Sequence, residues 1–324
     1  MITKADYVNL PYAIDLTHAG LYHAIHSLPY IQVQHDHEVY KLFQHLAAAT
    51  AVELAVRRFL SEQKIPFTVR KSLNFADHDQ YDIFLADRRL VIQTLQFEDD
   101  KSFWQSNDPP DELSASQVIM PSEQHRTMET SSKDVYLFAS LVKPKPHILL
   151  NDRYLFHILP GFWRQPRQWN PLGALTCKYA GQDQITLEFT GLLANQETAN
   201  SKLSLIPGEQ AVIHTRYYSL SSVHVEQPPS DLIGIKSPGR KKVYLIRPYQ
   251  WKDVWIAGTR VILIGFISLE EFTRRSKLIR PGIKIYPYGF IEEKSLGFPI
   301  RELKPVSDLL EHVGIHNPIK TFSA

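Results

Sequence analysis

The segment EVYKLFQHLAAATAVELAVRRFLSEQ, which follows His37 and ends at Gln63, constrains the chain more than any other. It holds no glycine or proline, its apolar residues recur at helical spacing, and alanine and leucine add intrinsic preference. It is the clearest helix in the sequence, and Asp36 stands where a cap for it would.

After this helix the texture turns to β. Ile65–Phe67 and Tyr81–Leu85 read as short strands and Leu90–Phe97 as a longer one. ADRR between the last two is turn-like, which predicts a hairpin. Its polar residues are out of place: Asp82 heads one apolar run, while Gln93, Thr94 and Gln96 interrupt the other. The stretch from Glu98 to Lys133 is rich in Ser, Asp, Pro and Glu and reads as a long loop or insertion. DVYLFASLV (Asp134–Val142) is a buried strand by its apolar continuity.

Residues 144–257 alternate short runs such as ITLEFTGLL and AVIHTRYYSL with Gly and Pro turns, the pattern of an all-β module. TRVILIGFI, from Thr259, returns to a buried strand. SLEEFTRRSKLI then reads as a short helix capped by Ser268, with acids in its first turn. ELKPVSDLLEHVG reads as a last helix after Pro305. Residues 1–34 show no clear period. The expected organisation is an N-terminal extension (1–36), an α/β core (37–143 and 258–324) and an inserted β-rich domain, barrel or sandwich (144–257).

Composition sets limits. A chain of 324 residues suits one large domain or two modest ones. With 44% hydrophobic and 22% charged residues it can bury a core, which excludes global disorder. The net charge of +2 argues against a general polyanion coat and leaves local basic patches open. Cys177 is the one cysteine, so the chain forms no internal disulfide and no cysteine zinc site; a reducing, cytoplasmic location fits. The first residues lack the pattern of a secretion signal. The longest apolar run, VILIGFI from Val261, falls far short of the ~20 residues a membrane helix needs, so no membrane partner is expected. GxSxG, P-loop, GxGxxG and HExxH motifs are missing.

Taken in order, a helix with a central glutamate (AVELAVRRFL, Glu53), a strand carrying an acid (YDIFL, Asp82), a second strand, DVYLFASL and RVILIGFISLEEF form a series. This series is similar to the PD-(D/E)xK, or restriction-endonuclease-like, superfamily. The resemblance spans Val39–Phe97, Asp134–Leu141 and Thr259–Leu310, roughly half of the chain, and leaves the β-rich block uncovered. It implies a mixed-sheet α/β nuclease core. In many members a helix glutamate, a strand aspartate and an acid-x-lysine on the next strand converge on a divalent metal, usually Mg²⁺. The metal stabilises phosphoryl charge and generates the attacking water.

Carried over residue by residue, the resemblance makes Glu53 and Asp82 metal ligands and places Gln93 and Gln96 among the catalytic positions. Residues two apart on a strand share a face. Either Thr94 and Gln96 or Gln93 and Leu95 therefore take the acid and lysine places, and neither register supplies an acid followed by lysine. The implied protein is a nuclease-fold DNA binder whose metal-dependent phosphodiesterase activity is weak or lost. Two rivals stay open. One is an active Mg²⁺-dependent endonuclease whose ligand has migrated to Glu98, Asp99 or Asp100. The other is a non-enzymatic protein that binds a protein partner, or a second copy of itself, through the β-rich block.

Plainer readings stand beside these. Asp82 can simply close a turn, Glu53 can be solvated, and Gln93 and Gln96 can bond neighbouring backbone. His35 and His37 are two apart, the wrong spacing for paired ligands on a helix face. His23 and His26 are three apart but have no placed acid. Cys177 reads as packed.

Three basic stretches interleave with aromatics: SPGRKKVYLIRP (Arg240, Lys241, Lys242, Arg247), FWRQPRQW (Arg164, Arg167) and FTRRSKLIRP (Arg274, Arg275, Lys277, Arg280). Such groups contact phosphates and stack on exposed bases. At a net charge of +2, each alone reads more readily as a solvated surface with long side chains covering rings. They point to nucleic acid if two share a face.

Overall fold

The computed structural model describes residues 1–30, 36–70, 83–95, 112–127, 131, 133–142, 154–164, 172–254, 260–286 and 288–315. In chain order these form β1 (Val8–Pro11), α1 (Ile14–Ser27), α2 (Asp36–Glu62), β2 (Thr68–Val69), β3 (Ile83–Leu85) and β4 (Arg88–Leu95). Next come α3 (Glu112–Ala115), β5 (Gln117–Pro121), α4 (Ser122–Thr127), β6 (Val135–Val142), β7 (Tyr154–Ile158), α5 (Gly161–Arg164) and β8 (Leu175–Tyr179). They are followed by β9 (Ile185–Leu192), β10 (Thr198–Leu205), β11 (Gln210–Ile213), β12 (Ser219–Val225), β13 (Ile233–Lys236), β14 (Tyr244–Ile246) and β15 (Lys252–Val254). The series closes with β16 (Arg260–Ser268), α6 (Leu269–Arg275), β17 (Lys277–Ile279), β18 (Lys284–Ile285), β19 (Gly289–Phe290), β20 (Ser295–Pro299) and α7 (Leu309–His312).

The chain divides into two compact units. The first holds Met1–Gly20, Ala48–Ile148 and Ala257–Ala324; the second holds Leu21–Ala47 and Leu149–Ile256. The division falls within α1 and within α2.

The first unit is built on a six-stranded mixed sheet of order β1-β16-β6-β4-β3-β2. β2, β3 and β4 run as an antiparallel meander, and the β3–β4 pair is the hairpin expected from the sequence, with Leu85 opposite Arg88 and Ile83 opposite Leu90. Ala86 in its turn takes φ +54°, the left-handed conformation that a two-residue link demands, at a cost of about 1–2 kcal/mol for a residue with a Cβ. The early strand lies at β2 rather than at Ile65–Phe67, whose residues precede it as coil.

β4 and β6 are parallel, in register from Leu90 opposite Val135 to Leu95 opposite Ser140. Parallel neighbours require a crossover. Here the intervening segment, expected as a loop, carries α3, β5 and α4 in its described part, and β5 joins β20 and β17 in a second, antiparallel sheet. QVIMP is too short to stand out among serines and acids, yet its alternation is that of a strand, with Val118 and Met120 fully buried. β16 lies antiparallel to β6 and β1 antiparallel to β16, so the opening residues, which showed no period, supply an edge strand and α1.

Ser268 caps α6 as expected, its Oγ accepting from the Glu271 amide at 3.3 Å. The last helix shrinks to one turn, preceded by a 3₁₀ turn at Val306–Asp308. Phe272 of α6 seats this unit's core: its ring lies 5.2 Å from Tyr136, 5.6 Å from His125, 6.1 Å from Phe298 and 6.2 Å from Phe138.

The second unit is antiparallel β in both its sheets, ordered β10-β9-β12-β7-β15 and β11-β8-β13-β14. Side chains from both sheets, including Leu187, Phe189 and Val223 from one and Cys177 and Ile235 from the other, form one apolar core. Burial pushes the Cys177 thiol up to about 12, so it packs as a small apolar group. The end of α1 and the first part of α2 belong to this unit. Thr198 donates to the His26 carbonyl at 3.3 Å, and Phe43 meets Phe156 at 5.2 Å.

The protein is therefore mixed α/β, with a mixed sheet in one unit and further antiparallel sheets. Among the described residues no helix is long and apolar enough to cross a membrane.

Replacing Phe272 by alanine removes the ring that four aromatic neighbours share. The expected cost is about 3–5 kcal/mol, read as a lowered urea midpoint at unchanged slope.

Candidate functional site

The hairpin proposed as a metal platform is framed by β4. Pairing on both edges, with β3 and β6, leaves its side chains only the two faces of the sheet. Val91, Gln93 and Leu95 share one face, and Gln93 stands opposite Phe138. Val91 and Leu95 enter an apolar cluster with Tyr136, Phe138, Ile262 and Phe272, and that cluster contains no described residue of α2. Leu90, Ile92 and Thr94 point the other way. Thr94 Oγ1 is buried and has no hydrogen-bond partner among the described residues. Such an orphaned hydroxyl costs about 1–3 kcal/mol unless something supplies a partner.

Glu53 lies in the part of α2 that belongs to this unit. The neighbouring Ala51, Val52, Ala55 and Val56 are buried, while the Glu53 side chain is 17% exposed. It is not solvated: Arg57, one turn on, meets its Oε1 at 2.9 Å. The contact lacks hydrogen-bond geometry, but as an ion pair between largely buried groups it offsets part of the carboxylate's charge. Asp82 and Gln96 lie outside the described residues, as do Glu98, Asp99 and Asp100. Among the described residues no three His, Cys, Asp or Glu side chains gather to hold a metal. A hard dication needs several carboxylate oxygens at once, and of the two residues that the resemblance makes ligands only Glu53 is described.

A polar chain that sequence reasoning missed runs beneath α6. Tyr136 Oη lies 2.8 Å from His125 Nδ1, and Thr273 Oγ1 lies 3.2 Å from His125 Nε2. Thr273 also donates to the Leu269 carbonyl at 2.8 Å, so it accepts from Nε2–H, and Nδ1 accepts from Tyr136. That tautomer leaves the imidazole no free lone pair. The chain ties α4 to β6 and α6. Arg89 and Asp134, 6% and 5% exposed, lie close enough to Tyr136 for their charges to oppose each other on its hydroxyl, whose ionisation burial already pushes up. No local motif announces this cluster, because its members come from four separate segments.

In the second unit two of the three basic stretches meet. The Arg240 guanidinium lies 4.2 Å from the Trp163 ring centroid and 4.9 Å from that of Phe162, and it donates to the Phe162 carbonyl at 2.5 Å. Trp163 is buried beneath it and Phe162 is 45% exposed. Tyr244 packs edge-on against both rings, at 6.4 Å and 5.9 Å. It is held from behind by His157, whose Nε2 accepts from the tyrosine hydroxyl at 2.8 Å while Nδ1–H faces the Gln250 carbonyl at 3.3 Å. Lys241, Lys242 and Arg247 are exposed alongside.

Other basic residues fare differently. Arg164 is 3% exposed and donates from Nε to the Leu159 carbonyl at 2.9 Å, so it fastens its own turn and presents no charge to solvent. Arg167 lies outside the described residues. In the first unit Arg275 pairs with both Glu271 and Glu302 and lies 5.1 Å above Phe298, whereas Arg274 is exposed. Interleaving alone could not separate these cases, because sequence shows that rings and charges are near one another but not which charges are already matched.

Burial holds the His157 imidazole below the ordinary histidine value of about 6.5, against the opposing pull of the Gln250 carbonyl. Its folded pKa lies below its unfolded one. The stability it contributes is therefore complete above about 6.5 and is lost as pH falls through the folded value. The thermal midpoint is expected to drop on acidification below that point, and His157→Gln to flatten the drop.

No protein-family model, no curated protein and no solved structure matches this chain.

Proposed function

We propose that the protein is a DNA-binding member of the restriction-endonuclease-like class in which metal-dependent phosphodiester cleavage is weak or lost. The observation that carries this reading is the run of elements in the first unit. A long helix with Glu53 is followed by the β3–β4 hairpin, then by β6 parallel to β4, then by β16 and α6. This is the order that the resemblance requires, with Gln93 and Thr94 standing mid-strand on β4 where an acid would be expected.

The two registers open in the sequence are no longer equal in support. Gln93 and Leu95 share the face that meets a core without described residues of α2, so the opposite face, carrying Thr94, is the one we assign to the old site; Gln96 lies outside the described residues. An orphaned threonine hydroxyl there suits a position that once held a ligand. The Glu53–Arg57 pair suits a site where an internal cation has replaced a metal. Affinity for DNA then comes from basic side chains, with phosphate neutralisation the main term.

Full-length protein is tested on duplex and supercoiled plasmid with Mg²⁺ or Mn²⁺. The reading expects salt-sensitive retardation of DNA without nicking. Metal-dependent nicking that Asp82→Ala abolishes would instead favour an active enzyme with a migrated ligand. Absence of any DNA shift at low salt, with a protein partner retained at high salt, would favour the β-rich unit as a protein-interaction module.

A further inference from the structure

Resting on the DNA-binding reading, we infer that the exposed rings Phe162 and Tyr249 of the second unit hold nucleic acid as a single strand. The rings stack on unpaired bases, and Lys241, Lys242 and Arg247 follow the phosphates. Phe162 and Tyr249 are 45% and 69% exposed, well open for aromatic side chains. Each has a guanidinium of its own: Arg240 lies over Phe162, and Arg247 donates to the Tyr249 hydroxyl at 2.9 Å.

The support behind them is rigid. Tyr249 sits in the 3₁₀ turn Pro248–Gln250, which the Gln250 side chain closes by accepting from the Arg247 amide at 2.8 Å. The same turn's Gln250 carbonyl faces His157, which fixes Tyr244, which in turn abuts Phe162. Pre-set rings lose little freedom on binding, as a stacking platform requires.

Charge complementarity selects the occupant. Among the described residues none of Lys241, Lys242 and Arg247 is paired with a carboxylate, in contrast to Arg275. An acidic peptide would use the charges but leave the rings idle. A duplex would do the same, because its base faces are already stacked, and groove reading calls for a helix or a two-stranded ribbon inserted into it. Here the rings stand on a short helical turn and a 3₁₀ turn, which suits bases that are already splayed.

The test is fluorescence anisotropy of the full chain with a labelled strand of about 16 nucleotides, alone and annealed to its complement, at low salt. The single strand should bind at least about tenfold more tightly than the duplex. Tyr249→Ala and Phe162→Ala should each weaken it by about tenfold, while Tyr249→Phe stays within about twofold. Lys241→Ala with Lys242→Ala should lower the slope of log affinity against log salt by about 1.4. Tyr249 is so exposed that its variants keep the wild-type melting temperature. Equal or tighter duplex binding, or alanine variants that bind as wild type, would overturn the single-strand assignment while DNA binding stands. Failure of both probes to bind would remove both readings.

Discussion

The pairing of β4 on both edges governs the first unit. A strand hydrogen-bonded to β3 on one side and β6 on the other cannot slip or rotate, and a shift by one residue would exchange its faces. Val91 and Leu95 are committed to the core that Phe272 organises, and Gln93 is carried with them. Thr94 is sent the opposite way. The second face therefore holds the one polar group of β4 that is buried there without a hydrogen-bond partner among the described residues, the Thr94 hydroxyl.

In the second unit, burial sorts basic residues that look alike in sequence. Arg164 and Arg240 both neighbour Trp163. One is spent inside on a backbone carbonyl, while the other lies over two rings at the rim. Lys241 and Lys242 follow Arg240 into solvent. A net charge of +2 is thus compatible with a local basic face, because carboxylates such as Glu271 and Glu302 neutralise their own arginine partners elsewhere.

Much of the scaffold was legible. The long helix, the hairpin, the buried strand at Val135–Val142 and the Ser268 cap each follow from a local rule of periodicity, turn chemistry or capping. What escaped depends on distant partners. β5 is a strand because β20 waits for it, and β1 because β16 offers an open edge. α1 carries Gly20 and four-residue-spaced polar groups that blur its apolar stripe; its His26 is bonded to the Tyr22 carbonyl at 2.7 Å. The candidate site was legible only as residue types. Sequence could name Glu53 and places Arg57 one turn on, but it could not decide between the faces of β4.

The central claim is that DNA binding has outlived the metal centre. DNA affinity measured in EDTA and again in millimolar Mg²⁺, at matched ionic strength, tests it most directly. The account predicts no gain in affinity on adding Mg²⁺, since the ion only competes for phosphates, and intact DNA throughout. A marked gain in affinity on adding Mg²⁺, accompanied by strand scission, would contradict it.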